Sequence, residues 1–310
     1  MPTPLDAHVF REPERWDDAA RITETLRRLF APDFMDPLEL DLDIEDEAVE
    51  PPPPQGAVVL VMPLPRALDE ATERALTAHL PEPTQARLAR FAHAPRRHQS
   101  LCGRLLAQRL ANLASEAAAG SFFLREQPPE GPALADYDGR RMGRFAIAHT
   151  EFGVSVSLSR RPMGLDLEVM KPHPRLAGLS DFALGPDFAR EIERLQAANP
   201  ERAEEAFLAA WGAIESAQKM NGEDRKSPAA SPDSDLLLEK YARTPEADVY
   251  WDSGLVARGP GGGDVPLEFL RTPVGALTLL GAPAGRVLHF VELPPEALLD
   301  EFASHVRAFL

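Results

Sequence analysis

Residues 164–168 read Gly-Leu-Asp-Leu-Glu, a short alternation of apolar and acidic side chains. In a β-strand, residues two apart point to the same face of the sheet. The alternation therefore predicts a strand whose Asp166 and Glu168 project together while Leu165 and Leu167 face the core. Adjacent carboxylates repel each other unless a cation or a proton lies between them, and carboxylate pairs commonly bind hard ions such as magnesium. A solvated face of an edge strand would give the same pattern.

A second feature is the segment 211–219, which reads Trp-Gly-Ala-Ile-Glu-Ser-Ala-Gln-Lys. On a helix, Glu215 and Lys219 are one turn apart and share a face, and Trp211 precedes them by one turn. The pattern adds a third candidate carboxylate to the pair at 166 and 168. It equally fits an ordinary salt bridge on an amphipathic helix, worth about 0.2–0.5 kcal/mol.

His149 and two groups of arginines are the remaining candidates for a binding site. His149 ends an apolar segment that we predict to be a strand, where a histidine can pack, cap the strand or donate to a phosphate. Between positions 84 and 115 there are six arginines and no acidic residue, and three more arginines precede His149: Arg87, Arg90, Arg96, Arg97, Arg104, Arg109, Arg140, Arg141 and Arg144. Arginine matches phosphate oxygens through paired hydrogen bonds, although a solvated helix face would show the same residues.

Charge and composition limit the kind of protein. The 310 residues carry a net charge of −16, and residues 1–54 hold 15 Asp or Glu against 5 Arg. This balance argues against general nucleic-acid binding. The single cysteine suits a reducing cytoplasm, the N-terminal residues have no apolar segment of the signal-peptide kind, and the late apolar stretch 274–291 is broken by Gly, Pro and Arg. We therefore expect a cytoplasmic protein without a membrane span.

The pattern along the chain predicts an α+β fold. Residues 1–54 form an acidic extension that contains a predicted helix over 10–30 and an edge strand or linker over 36–50, and its proline run at 51–54 acts as a spacer before the main fold. Apolar periodicity then predicts the following elements: a strand at 57–63, helices at 66–80 and 84–119, two strands in 144–159, helices in 186–221, strands at 266–270, 274–280 and 286–292, and a helix from Pro294.

The order and spacing of these motifs resemble the surfactin-synthetase-activating type of 4'-phosphopantetheinyl transferase. The pieces that carry the resemblance follow in the family's order: Arg96-Arg97 through Cys102-Gly103-Arg104, Gly139-Arg140-Arg141, Ala148-His149, Gly164 to Glu168, and Trp211 to Lys219. The chain departs from the family pattern at three points. Ile214 stands where the family has a lysine, Ala148 replaces a serine, and the turn at 139–141 lacks a proline.

The resemblance implies a pseudo-twofold pair of similar α+β halves, residues 55–160 and 161–310, with the active site in the cleft between them and a monomeric state. It also implies a reaction, the transfer of the 4'-phosphopantetheine of coenzyme A to a serine of an apo acyl or peptidyl carrier protein. Magnesium, or manganese in its place, would be held by Asp166, Glu168 and Glu215.

The same resemblance implies roles for individual residues. Glu215 would act as the base for the serine proton, directly or through a metal-bound water, with Lys219 and His149 as further catalytic residues near the phosphates. Coenzyme A would be bound by Arg96, Arg97, Arg104, Arg140, Arg141, His149 and Lys219. Two alternatives remain open. One is a non-catalytic module that binds coenzyme A or a carrier protein, in which Ile214 marks lost activity. The other is a structural or interaction protein whose acidic pairs are only surface charge.

Overall fold

The structure is a computed structural model that describes residues 18–31, 56–64, 68–127, 131–220, 231–232, 251–258, 264–282 and 286–291. Its helices are α1 (Ala19–Phe30), α2 (Glu70–Ala78), α3 (Glu82–Leu88), α4 (Ala94–Ala117), α5 (Leu176–Leu184), α6 (Pro186–Ala198) and α7 (Pro200–Met220). Its strands are β1 (Ala57–Pro63), β2 (Phe123–Gln127), β3 (Gly131–Ala135), β4 (Arg141–His149), β5 (Gly153–Ser159), β6 (Gly164–Glu168), β7 (Ser231–Pro232), β8 (Trp251–Arg258), β9 (Asp264–Thr272), β10 (Gly275–Leu280) and β11 (Val287–Phe290). The protein is therefore α+β, as the sequence predicts.

The strands form two sheets. The first sheet has the order β11-β1-β5-β4-β3-β2, and the second has the order β6-β10-β9-β8-β7. In the first sheet β11 runs parallel to β1, with Val58 opposite Val287. The late part of the chain thus returns to the sheet built from its early part, so a division near residue 160 does not separate the two sheets completely.

The two sheets pack face to face, and each carries helices on its outer face. Strand β1 shows this arrangement because its side chains alternate: Val58, Leu60 and Met62 join the core beneath α1 and α4, while Val59 and Val61 join the core between the sheets. A third core lies between the second sheet and α5, α6 and α7. Strand β1 is therefore covered on both sides, which explains why it reads as a continuous apolar run.

Helix α1 belongs to the core of the first sheet although it lies within the acidic segment 1–54. The Asp18 side chain caps its first turn by accepting from the backbone N–H of Arg21 at 2.9 Å. Its apolar face is buried, with Leu26 fully buried in the same core as α4. Arg160 donates to the carbonyl oxygen of Leu29 at the other end of the helix. This part of the extension is therefore a structural element of the fold.

Helix α7 lies very close to the second sheet because two glycines allow it. A Cβ at Gly164 of β6 would come within 2.2 Å of the carbonyl oxygen of Ser216, and a Cβ at Gly212 would come within 2.2 Å of Oγ1 of Thr278 on β10. Both distances are shorter than any normal contact, so neither position admits a larger residue without displacing the helix. The close approach brings the α7 side chains over the acidic strand.

Several predicted elements differ from those observed. The region 84–119, where one longer helix is predicted, is divided into α3 and α4, with a break at 89–93. The helix α5 and the strands β2, β3, β7 and β8 are not predicted from the sequence. The edge strand or linker at 36–50 and the helix from Pro294 lie outside the described residues. None of the helices that the structure describes is long and apolar enough to cross a bilayer.

Candidate active site

Strand β6 presents its two acids to helix α7. Leu165 and Leu167 are buried in the core between the sheets, so Asp166 and Glu168 point to the opposite face, as the alternation predicts. Asp166 is 4% exposed, and its Oδ1 lies 2.5 Å from Nζ of Lys219. The ammonium of Lys219 thus compensates the charge of a buried carboxylate, which would otherwise be costly to bury.

Glu168 is held from the same helix. The indole Nε1 of Trp211 donates to Oε1 of Glu168 at 3.2 Å, and Trp211 stacks on Phe207 with ring centroids 6.3 Å apart. Burial raises the pKa of Glu168, and the nearby Asp166 carboxylate raises it further. The Trp211 hydrogen bond and the Lys219 charge act in the opposite direction. The carboxylates of Asp166 and Glu168 therefore repel each other, and a cation bound between them would reduce this repulsion.

Glu215 is the third acid of this group. It is half-buried on α7, one turn from both Trp211 and Lys219, so the three side chains share the face that covers β6. The negative charge of Glu215 contributes to the raised pKa of Glu168, which places the two carboxylates within electrostatic reach. Two elements that are far apart in sequence thus bring three acids and one lysine together.

His149 lies at the exposed end of β4, in the first sheet. Its imidazole is partly desolvated by the surrounding protein, which lowers its pKa. The positive charges of Lys219, Arg104 and Arg96 lower that pKa further. Lys219 also bonds to Asp166, so His149 lies within electrostatic reach of the group that contains the acids. The neutral imidazole that results can donate a hydrogen bond from its one N–H to a phosphate oxygen near neutral pH.

Two of the predicted coenzyme A arginines are engaged within the protein. Arg97 forms an ion pair with Glu73 of α2 and donates to the carbonyl oxygen of Phe91. Arg104 is buried and its Nε donates to Oε1 of Glu126 at 3.0 Å. Both guanidinium groups hold α4 to its neighbours, which is a structural role. Arg96, in the first turn of α4, is exposed.

Arg140 and Arg141 do not lie near the acids. Arg141 begins β4 and His149 ends it, so about 27 Å of extended strand separates them at the usual rise per residue. Both arginines are exposed at the far end of the sheet. Of the five arginines predicted from the sequence, Arg96 is the one that the structure leaves exposed on the side of His149.

The acids can be tested for their fit to a metal ion. No group of three or more His, Cys, Asp and Glu side chains among the described residues is arranged as a ready-made metal site. However, Oδ2 of Asp166 is buried and has no hydrogen-bond partner within the described part of the chain. Such an oxygen beside a second carboxylate suits a hard divalent ion, which takes oxygen ligands. The donor set therefore fits magnesium or manganese.

Sequence reasoning missed one group at this site. Gln99 of α4 donates to the carbonyl oxygen of Thr150 at 3.0 Å, and the Thr150 hydroxyl accepts from the backbone N–H groups of Phe152 and Gly153. These bonds fix the turn that follows His149. No pattern in the sequence could show this, because the partners of Gln99 are backbone atoms 51 positions away.

Comparison with known proteins supports one superfamily. The chain is 28% identical over 169 residues to a 4'-phosphopantetheinyl transferase of Bacillus subtilis, which covers 54% of this chain and 70% of that protein. No family model matches the chain. The distant similarity supports the 4'-phosphopantetheinyl transferase superfamily and, in general terms, a transferase function.

Proposed function

We propose that this protein is a 4'-phosphopantetheinyl transferase of the surfactin-synthetase-activating type. It would move the phosphopantetheine of coenzyme A to a serine of an apo acyl or peptidyl carrier protein, as a monomer in the cytoplasm. The observation that carries the proposal is the convergence of Asp166, Glu168 and Glu215 with Lys219 on one face of α7 and β6. The similarity to the Bacillus subtilis transferase supports the same reaction.

The proposal includes the architecture that the resemblance implies. The two sheets with their helices would correspond to two related halves, and coenzyme A would lie in the cleft between them. His149 comes from the first sheet and the three acids from the second sheet and its helix, which agrees with a site at the junction. Arg96 and His149 are the groups best placed to receive the nucleotide phosphates, because Arg96 is exposed and its positive charge acts on the neutral His149 imidazole.

Magnesium or manganese would be held by Asp166, Glu168 and Glu215, and would supply charge neutralisation at the pyrophosphate. The buried and unpartnered Oδ2 of Asp166 supports this assignment. Lys219 would orient a phosphate oxygen through its ammonium, which already lies at the edge of the site with a third of its side chain exposed. The neutral His149 would donate a hydrogen bond to a second phosphate.

The transfer is a displacement at phosphorus. The serine oxygen of the carrier attacks the β-phosphorus of coenzyme A, a new P–O bond forms, and the bond from that phosphorus to the bridging oxygen breaks. Adenosine 3',5'-bisphosphate leaves with the electron pair of that bond. Glu215 accepts the proton of the serine hydroxyl as general base. Positioning and charge stabilisation supply most of the acceleration in such reactions, which is why a site of acids and cations suffices.

Mass spectrometry of apo carrier proteins tests the proposal. A panel of acyl and peptidyl carriers is incubated with this protein, coenzyme A and magnesium, and we expect at least one carrier to gain one phosphopantetheine. Glu215→Gln should lower turnover at least about a hundredfold, the low end of what a positioned acid–base group contributes. Glu193→Gln makes the same change at an exposed position on α6 and should transfer like wild type.

The outcome at Ile214 separates the enzyme from a binding module. Ile214 is half-buried beside Glu215, where the resemblance has a lysine. We expect the wild type to be active and Ile214→Lys to lower the Michaelis constant for coenzyme A, because the added charge acts on ground state and transition state alike. If wild type modifies no carrier and Ile214→Lys restores transfer, the natural protein is a binder. Equal rates for Glu215→Gln and wild type would show that the site is wrong.

A further inference from the structure

Helix α7 holds the chain at the end of β6 in two places. The first is the Trp211 indole, which donates to Glu168. The second is Glu204, whose Oε1 accepts the backbone N–H of Lys171 at 2.7 Å. Glu204 and Trp211 are seven residues apart, two helical turns, and therefore lie on the same face of α7. The two bonds are made at positions 168 and 171, so together they hold this short segment against α7.

Glu204 is a buried acid, with only 9% of its surface exposed. Among the described residues it has no ion-pair partner at bonding distance. It lies in the wall of a cavity of about 340 Å³ between α5 and α7. The rest of the wall is mainly apolar and includes Leu176, Phe207 and Trp211, with Glu168 at one side. A buried acid in such surroundings needs a structural reason, because burial without a hydrogen bond is costly. The bond to Lys171 supplies that reason.

We propose that Glu204 is a positioning residue for the transfer reaction, holding the segment after β6 against α7 so that the Glu168 carboxylate stays in place. The inference rests on the function proposed above, in which Glu168 binds the metal. Glu204 itself touches neither substrate nor metal in this assignment. Its effect passes through the backbone of Lys171, three residues beyond Glu168.

The electrostatic surroundings of Glu204 agree with this role. Burial raises the pKa of Glu204 to about 7, and the charge of Glu201 on the same helix adds to the shift. The Lys171 N–H and the Lys171 ammonium act against it. His173 and Glu168 also line the cavity, whereas α5 contributes only apolar side chains to the wall. A carboxylate accepts a hydrogen bond more strongly than a neutral acid, so the bond to Lys171 strengthens as pH rises through neutrality.

Hydrogen exchange measures the hydrogen bond from Lys171 to Glu204 without any ligand. We compare wild type, Glu204→Gln and Glu204→Leu by exchange with mass spectrometry over residues 169–175. Glutamine keeps an acceptor oxygen, so its protection should stay near the wild-type value. Leucine removes the side-chain acceptor of the Lys171 N–H, so exchange there should accelerate at least about tenfold. Glu193→Leu removes an exposed acid on α6 that does not act on Glu204, and it should change nothing in this segment.

Coenzyme A binding then tests whether the hydrogen bond between Glu204 and Lys171 supports the active site. With magnesium present, Glu204→Leu should weaken coenzyme A binding by calorimetry about five- to tenfold, and Glu204→Gln less than twofold. The affinity of wild type should rise between pH 6 and pH 8 more than that of Glu204→Gln, which cannot ionise. The pH comparison needs only the conservative variant, so it decides the question even if the leucine variant fails to fold.

The outcomes separate this inference from the proposed function. Unchanged exchange in Glu204→Leu, equal losses in the leucine and glutamine variants, or identical pH profiles for wild type and Glu204→Gln would each overturn the positioning role while leaving the transferase assignment intact. Absence of transfer by wild type to every carrier would instead remove the proposed function, and the exchange data would still report whether Glu204 holds the segment.

Discussion

The ammonium of Lys219 lies 2.5 Å from Oδ1 of Asp166 and joins the end of α7 to the middle of β6. The bond occupies one oxygen of the first candidate metal ligand and leaves the other, Oδ2, buried and without a partner among the described residues. Lys219 therefore has two roles that act against each other. It stabilises the acid before a cation arrives, and it competes with that cation for the same carboxylate.

Replacing Lys219 should affect metal binding and transfer in opposite directions. Lys219→Met removes the competing charge, so the apo protein should bind manganese more tightly, by roughly tenfold for a partly exposed pair. Phosphopantetheine transfer should fall, because the ammonium no longer orients a phosphate oxygen. Manganese titration followed by electron paramagnetic resonance gives the affinity. Arg194→Met, at an exposed pair on α6, is the control, and weaker manganese binding by Lys219→Met would contradict the competition.

The neighbouring arginines Arg96 and Arg97 should differ in role: Arg96 should contribute to binding and Arg97 to stability. Arg96→Glu should weaken binding of coenzyme A or carrier, with a loss that shrinks at high salt, because Arg96 is exposed. Arg97→Glu should instead lower stability by about 2 kcal/mol, since it places a second acid against the half-buried Glu73. Calorimetry and urea unfolding measure the two effects. Equal effects of both variants on binding alone would contradict the division.

Gly164→Ala should destabilise the protein by about 3 kcal/mol, because the new methyl group would collide with the carbonyl oxygen of Ser216. The matched control is Gly178→Ala, an exposed position on α5 where a Cβ meets nothing within 4 Å. Alanine there should stabilise by up to about 1 kcal/mol through helix propensity. Urea unfolding compares the two. A neutral Gly164→Ala would show that α7 can move away from β6 without cost.

Helix α1 should be required for stability. Leu26 is fully buried in the first core, and Leu26→Ala should cost about 2–5 kcal/mol. Deleting residues 1–31 removes the whole helix and should lower the thermal midpoint further, although the proline run at 51–54 alone favours a separable extension. Glu24→Ala changes an exposed residue of the same helix and serves as control. An unchanged midpoint after the deletion would show that the first core does not need α1.

Glu168 should make stability depend on pH. Its pKa is raised above the usual value by burial and by Asp166, so the folded state holds this proton more tightly than the unfolded chain. The resulting stabilisation is complete below the unfolded pKa and is lost as pH rises through the folded pKa. Glu168→Gln, measured with a chelator, should therefore be more stable than wild type at pH 8 but not at pH 4. The reverse order at pH 8 would mean that Lys219 and Trp211 more than compensate the buried charge.

Local periodicity by itself determined which side chains of the site share a face. The two-residue repeat of 164–168 places Asp166 and Glu168 together, and the four-residue spacing on α7 aligns Trp211, Glu215 and Lys219. These relations depend only on backbone geometry within one element. For the same reason the α+β class and most strands of the second half could be read from the sequence.

Tertiary structure alone decided which candidate side chains are available. Arg104 and Arg141 look alike as members of basic clusters, yet one is buried against Glu126 and the other lies at the far end of β4. The pairing of β11 with β1 likewise joins residues more than two hundred positions apart. Such contacts depend on which surfaces meet when the two sheets pack. A charge pattern along the chain does not show which acid an arginine or a lysine will bind, because that acid lies on another element.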